Sequence, residues 1–73
     1  MATIHQVHLR IQELSKEWHN IPVSYLLLQF ATEPEVIHRH LQSLLLLAFI
    51  SDEHYKRGIV RLTMHGRLTI PPQ

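Results

Sequence analysis

The stretch YLLLQFATEPEVIHRHLQSL, residues 25–44, decides how this 73-residue chain folds. A short apolar run ends at Phe30, and Pro34 stands where a new helix begins, because a helix accepts proline in its first turn but not in its interior. After that proline, apolar residues recur every three or four positions, which is the spacing of one helical face. The stretch therefore predicts two helices, helix 2 over residues 23–30 and helix 3 over residues 35–47, with a short turn between them.

Two sequence signals could mark the start of the helix predicted over residues 35–47. Glu33 followed by Pro34 fits a first turn that begins with proline. Alternatively, Thr32 with Glu35 three residues later fits a capping box, in which two side chains accept each other's backbone N–H groups. Both signals place the helix start close to Pro34.

Upstream of this stretch, one apolar stripe predicts a first helix over residues 4–19. Its members recur at intervals of three and four residues, as on the buried face of an amphipathic helix. Thr3 can cap the start. Asn20 and Pro22 end the helix, because proline disfavours helical geometry in the residue before it. The stripe, which we expect to lie in the core, consists of Ile4, Val7, Ile11, Leu14 and Trp18.

The last third of the chain changes to β-branched residues and turn signals, which predicts a β-hairpin wing over residues 49–70. We favour Lys56-Arg57-Gly58 as its turn, which pairs residues 49–54 with residues 59–64. Residues 67–70 would then form a third short strand or a tail.

A second turn remains open in the same segment. His65-Gly66 lies between two β-prone runs and has the length of a two-residue hairpin turn. In that arrangement Gly66 would adopt a positive φ, which glycine tolerates best.

The order of three helices and a hairpin, together with the motif, resembles the winged helix-turn-helix of bacterial MarR- and ArsR-type transcriptional regulators. The resemblance covers residues 21–67. It implies an α+β winged-helix fold and DNA binding. In the wing segment, Leu62-Thr63 and Gly66-Arg67 match the "LTxxGR" of the MarR-type wing. In the helix-turn-helix, the matching residues are Leu26, Phe30, Pro34, Ile37, Arg39, His40, Leu41 and Leu44.

The chain also departs from the pattern of those families. Ala31 and Ala48 stand where glycine is usual, and at a positive φ alanine would cost roughly 1 kcal/mol. The wing is shorter than in MarR-type proteins. The sequence ends where those proteins begin their C-terminal dimerisation helices, so a dimer would need another surface.

Four consecutive leucines, residues 44–47, exceed the single apolar stripe that a helix on a small domain needs. On a helical wheel Leu46 points directly away from the core face. Leu45 and Leu47 lie on opposite flanks, where we expect them to pack under the first helix and the wing. The core face consists of Ile37, Leu41, Leu44 and Ala48.

The surplus apolar residues predict a partner surface. Helix 2 also carries a run of leucines, and excess apolar surface on a small domain commonly marks an interaction site. We therefore expect a homodimer, or a contact with another protein. The residues assigned to this interface are Leu27, Leu28, Leu45 and Leu46.

In a winged helix, helix 3 and the wing contact DNA. Arg39 suits a guanine or a phosphate, and Gln42 suits an adenine. Basic side chains at the wing tip can reach phosphates. Any solvated helix face would carry similar polar residues. The expected DNA-binding residues are His38, Arg39, Gln42, Ser43, Lys56 and Arg57.

The charge pattern supports this interpretation only in part. Residues 1–37 carry a net charge of −2 and residues 38–73 carry +3, so the segment that contains all of the expected DNA contacts is the basic one. Acidic side chains at the start of helix 3 and in the wing would repel a phosphate. Glu33 and Glu35 lie at the start of helix 3, and Asp52 and Glu53 lie in the wing.

Other classes of function find little support. The chain has no cysteine, which excludes disulfides and thiolate metal sites. His5 and His8 share a helix face, but a metal site needs three or four converging ligands. We expect the seven histidines at the surface or its boundary, and no metal or cofactor. The chain lacks a glycine-framed serine and a phosphate-cradling loop, so we expect neither an enzyme nor a small-molecule substrate.

The apolar run of residues 44–50 is too short to cross a membrane, which takes about 20 residues. We therefore expect a cytoplasmic, homodimeric DNA-binding protein of the transcriptional-regulator type, with no membrane association. The alternative is a winged-helix interaction module that does not bind DNA and uses the surplus apolar surface of helices 2 and 3.

Overall fold

The computed structural model describes residues 3–30 and 33–69 of the chain. The α+β class is confirmed, but these residues form five helices, so the expected count of three is wrong. Ala31, Thr32 and Ile70, each part of a sequence prediction, lie outside the described residues. The elements are α1 (Ile4–Ser15), β1 (Ile21–Pro22), α2 (Val23–Gln29), α3 (Pro34–Leu46), α4 (Asp52–Tyr55), β2 (Ile59–Val60) and α5 (Met64–Leu68).

Helix α1 begins as the sequence predicts and ends earlier. The Thr3 side chain accepts from the backbone N–H of Gln6, and the Gln6 side chain accepts from that of Thr3, which makes a capping box. The helix ends at Ser15, not at residue 19. Trp18 therefore leaves the apolar stripe. Its side chain is 39% exposed and meets the Tyr25 ring edge-on at 4.8 Å, so its assignment to the core is wrong.

The core lies between α1, α3 and the small sheet. Val7 and Ile11 of α1 are fully buried, and the apolar face of α3 lies against them. This is the outcome expected from the two periodic stripes. The fully buried apolar side chains that complete the core are Ile21, Leu26, Ile37, Leu41, Leu44 and Val60.

The leucine run divides between core and solvent. Leu44 is buried, Leu45 packs partly against the core, and Leu46 is 89% exposed, as the helical wheel predicts. Leu47 follows the end of α3 and is 46% exposed, so its expected packing under the wing is incomplete. Ala48 is exposed at a φ of 60°. Its place on the core face is therefore wrong, because the chain has already left the helix.

The sheet is small and antiparallel. β1 pairs with β2, with Ile21 opposite Val60 and Pro22 opposite Ile59. A single bridge joins Ile50 to Leu62 beyond the end of β2. The β2 segment therefore runs between β1 on one side and the chain that leaves α3 on the other.

The expected wing hairpin is mostly replaced by a helical turn. Its pairing survives in the bridge at Ile50 and in the bond from Ser51 N to Arg61 O at 2.8 Å. Residues 52–55 form α4 instead of a strand. Ser51 caps α4, and two acidic residues occupy its first turn, where they favour a helix N-terminus. Gly58 then turns the chain at a φ of 79°.

The end of the described chain is helical, where a strand or a tail was expected. Thr63 caps α5 by accepting from the N–H of Gly66, so the alternative hairpin turn at His65-Gly66 is wrong. Gly66 packs directly on Phe49, and an added Cβ would stand 2.8 Å from the Phe49 carbonyl carbon. Glycine is required at this position because the Phe49 backbone lies too close for any side chain, and not because the backbone adopts a positive φ.

His8 contradicts the prediction of surface histidines. Its side chain is fully buried, and its ring stacks on Phe49 with 4.9 Å between centroids. Nε2 donates to the carbonyl oxygen of Gly66 at 3.0 Å. Gln12, one turn further along α1, donates to the same oxygen and to the carbonyl of Thr69. Two α1 side chains thus hold α5 in place.

We predict that Ala48→Gly stabilises the protein by about 0.5–1 kcal/mol, because glycine removes the steric penalty of a left-handed alanine. Urea denaturation measures the change. Gln42→Gly in the exposed interior of α3 is the control, with an expected loss of about 1 kcal/mol. Equal destabilisation by both changes would contradict the positive φ at Ala48.

Candidate nucleic-acid interface

The outward face of α3 carries the side chains that the sequence assigned to DNA bases. Arg39 and Gln42 are exposed and three residues apart, so they share a face. Ser43 is half-buried, and its hydroxyl donates to the carbonyl of Arg39 at 3.2 Å. Within residues 3–30 and 33–69, Arg39 forms no ion pair. Its guanidinium is thus available to an external acceptor.

His38 does not lie fully on this outward face. It is half-buried, and its Nδ1 lies 3.4 Å from the Tyr55 hydroxyl of α4. Partial burial raises the pKa of Tyr55 above its ordinary value of 10.0, because desolvation disfavours the phenolate. His38 therefore joins α3 to α4, a contact that only the tertiary structure discloses.

The two cations expected at the wing tip already have acidic neighbours. Lys56 Nζ lies 3.3 Å from Asp52, and Arg57 Nη2 lies 3.9 Å from Glu53. Both pairs span one turn and are largely exposed. Exposed pairs of this kind contribute only about 0–1 kcal/mol, so a phosphate can displace the carboxylates at small cost.

The start of α3 is acidic. Glu33 occupies the N-cap position without a side-chain cap, and Glu35 lies in the first turn. Carboxylates here interact favourably with the helix dipole, and they also occupy the place where a helix N-terminus would otherwise attract phosphate. Any DNA contact must therefore come from further along α3.

The expected interface leucines separate into two groups. Leu27 and Leu45 pack partly against the core. Leu28 is 83% exposed and Leu46 is 89% exposed. Met64 and Leu68 of α5 are also largely exposed. The sequence did not indicate these two, because their segment was expected to form a strand or a tail and instead forms helix α5.

Metal and membrane features are absent from the part of the chain that is described. Residues 3–30 and 33–69 contain no group of three or more metal-ligating side chains. In the same residues, no helix has the length and apolar character needed to cross a bilayer.

Comparison of the chain with protein-family models, with curated proteins and with solved structures gives no match.

We predict that Tyr55→Phe reduces the loss of stability at alkaline pH. A raised pKa in the folded state means that the unfolded chain loses the phenol proton first, so stability falls as pH rises through and above 10. Phenylalanine removes this dependence. The free energy of unfolding, measured between pH 9 and about 11 by urea titration, should fall less steeply in the variant. Identical slopes would contradict the shift.

Proposed function

We propose that the chain is a winged-helix domain that binds duplex DNA through α3. The order of elements supports this proposal, since α3 follows closely after α2, β2 pairs with β1, and Ile50 bridges Leu62 just beyond β2. The positive φ of Ala48 also supports it, because glycine is usual there in the families that the sequence resembles.

The observation that carries the proposal is the two-sided character of α3. Its inner face is fixed in the core by Ile37, Leu41 and Leu44. Its outer face presents Arg39 and Gln42 to solvent. Arginine can bond a guanine with two parallel hydrogen bonds, and glutamine can do the same with adenine. A rigidly held helix with these side chains outward is suited to the major groove.

The wing region would contribute phosphate contacts and not base contacts. Lys56 and Arg57 are exposed and paired only with neighbouring carboxylates of their own helix. Binding would exchange each carboxylate for a phosphate. Asp52 and Glu53 would then stand close to the DNA backbone and weaken the complex, and their removal is a direct test.

We predict salt-sensitive binding of a labelled random duplex in a fluorescence-anisotropy titration. Affinity should fall several-fold between about 50 and 200 mM salt. Arg39→Ala should weaken binding roughly tenfold, the effect of losing one charged contact. The double variant Asp52→Asn with Glu53→Gln should tighten binding several-fold, because it frees Lys56 and Arg57 for phosphate.

Arg10→Ala is the matched control, since Arg10 lies on α1 and pairs with Glu13. It should leave the affinity unchanged. Absence of binding at low salt would overturn the proposal. Equal losses for Arg10→Ala and Arg39→Ala would do the same, because they would indicate non-specific attraction to a cation anywhere on the surface.

Exposed apolar side chains favour a second candidate, a winged-helix module that associates with protein and does not bind DNA. Leu28 and Leu46 project into solvent from α2 and α3, and Met64 and Leu68 do so from α5. A contiguous patch of such side chains marks a surface that a partner covers. A second copy of the chain is the partner we propose, and the resulting homodimer is compatible with either candidate function.

We predict that sedimentation equilibrium at high micromolar concentration detects this dimer. Leu46→Gln should weaken the association about tenfold, because it removes a large apolar contact from the proposed interface. Leu9→Gln, on the partly exposed side of α1, is the control and should change little. A monomer at all concentrations would exclude the homodimer.

A further inference from the structure

A cleft of about 430 Å³ opens between the C-terminal end of α1 and helix α5. Its size falls within the range of small-molecule sites in proteins, roughly 300–1,000 Å³. It lies apart from the outward face of α3. Among residues 3–30 and 33–69, no acidic side chain lines it. The lining residues are Gln12, Ser15, Lys16, His19, Leu62 and Arg67.

Two cations line the cleft, Lys16 and Arg67. Neither Lys16 nor Arg67 forms an ion pair within residues 3–30 and 33–69. Arg67 Nη2 donates to His19 Nδ1 at 3.2 Å, and this bond leaves the other guanidinium N–H groups available. Glu13, an acidic residue of the last turns of α1, is engaged by Arg10 at 3.2 Å. The cleft is therefore positive, unlike α4, where each cation has its own carboxylate.

A buried hydroxyl adds an independent observation. Ser15 is only 9% exposed, and its Oγ has no hydrogen-bond partner among the described residues. A helical serine commonly returns its hydroxyl to a carbonyl one turn earlier. Without such a bond the buried hydroxyl costs free energy, of order 1–3 kcal/mol. An acceptor oxygen in the cleft would remove this cost.

The end of α1 does not prevent an anion from binding nearby. Its last carbonyls give a helix C-terminus partial negative charge. Here the N–H of Lys16 bonds the Glu13 carbonyl, and the N–H of Trp18 bonds the Leu14 carbonyl at 2.9 Å. These two carbonyls are thus satisfied within the chain, and the two full positive charges of Lys16 and Arg67 exceed the partial negative charge of the helix end.

We propose that this cleft binds a small organic oxyanion, a phosphate or carboxylate attached to an apolar group. Arg67 would hold the oxyanion through its planar fork and Lys16 through a point charge. The Ser15 hydroxyl would donate a third bond. Leu62, nearly buried, supplies an apolar wall for the rest of the molecule. The ligand would bridge α1 and α5. This inference does not depend on DNA binding.

The test is a ¹H–¹⁵N NMR titration of the whole chain with phenyl phosphate and, separately, with benzoate at fixed ionic strength. Each should give saturable shifts at the amides of Ser15, Lys16, His19 and Arg67. Benzyl alcohol, the neutral probe, should give none there. Phenyl phosphate should bind several-fold more tightly than inorganic phosphate, because Leu62 contacts its ring.

Arg67→Gln and Lys16→Gln should each weaken binding about tenfold or more, because each removes a charge-assisted contact. The matched controls, Arg57→Gln and Lys56→Gln, should leave it unchanged. Arg67→Lys keeps the charge and loses the fork, so we expect an intermediate affinity. The affinity of Arg67→Lys and a circular dichroism spectrum of each variant distinguish lost binding from lost folding.

Three results would overturn the proposal. The first is shifts that rise linearly without saturation, and the second is equal losses in the α4 controls. The third comes from a titration with a 12-base-pair duplex. If the duplex shifts the cleft signals and excess phenyl phosphate does not compete, the cleft binds backbone phosphate and not a small ligand.

Discussion

The packing of α1 against α3 is the contact on which the other elements depend. Val7 and Ile11 lie against the face formed by Ile37, Leu41 and Leu44, and all five side chains are fully buried. Burying an aliphatic side chain of this size contributes about 1.5–3 kcal/mol, and a chain of 73 residues has few others to bury. Because one face of α3 packs against α1, the opposite face is fixed in orientation and remains accessible to solvent.

The reversal at Ala48 connects this core to the C-terminal part. The left-handed residue turns the chain out of α3, so that Ile50 reaches Leu62 and Phe49 lies beneath α5. Gly66 fits against the Phe49 backbone because it has no side chain. The buried His8 then bonds the Gly66 carbonyl. A local conformational penalty at one residue thus permits the docking of a whole element.

The basic side chains of this protein occur in two electrostatic states. Those of α4 are paired with carboxylates one turn away, so their field is largely cancelled at a distance. Arg39 on α3 forms no ion pair in the described part of the chain, although Glu35 lies one turn before it, and Lys16 and Arg67 beside the cleft form none either. The near-neutral total charge therefore conceals local positive surface at two separate places.

The sequence by itself determined the elements whose signals are local. The stripe of α1, the cap at Thr3, the proline-led start of α3 and the outward direction of Leu46 all depend on spacing within one helix. The positive φ at Ala48 could be anticipated only through the resemblance. The α+β class followed from these features together.

Only the tertiary structure decided what depends on distant neighbours. The segments of α4 and α5 lie beside β-prone residues, and the Ser51 and Thr63 caps together with docking on the rest of the chain make them helical. The burial of His8 requires Gly66, 58 positions away. The cleft joins residues from both ends of the chain. Periodicity records which side of an element is apolar, but it does not record which element will cover that side.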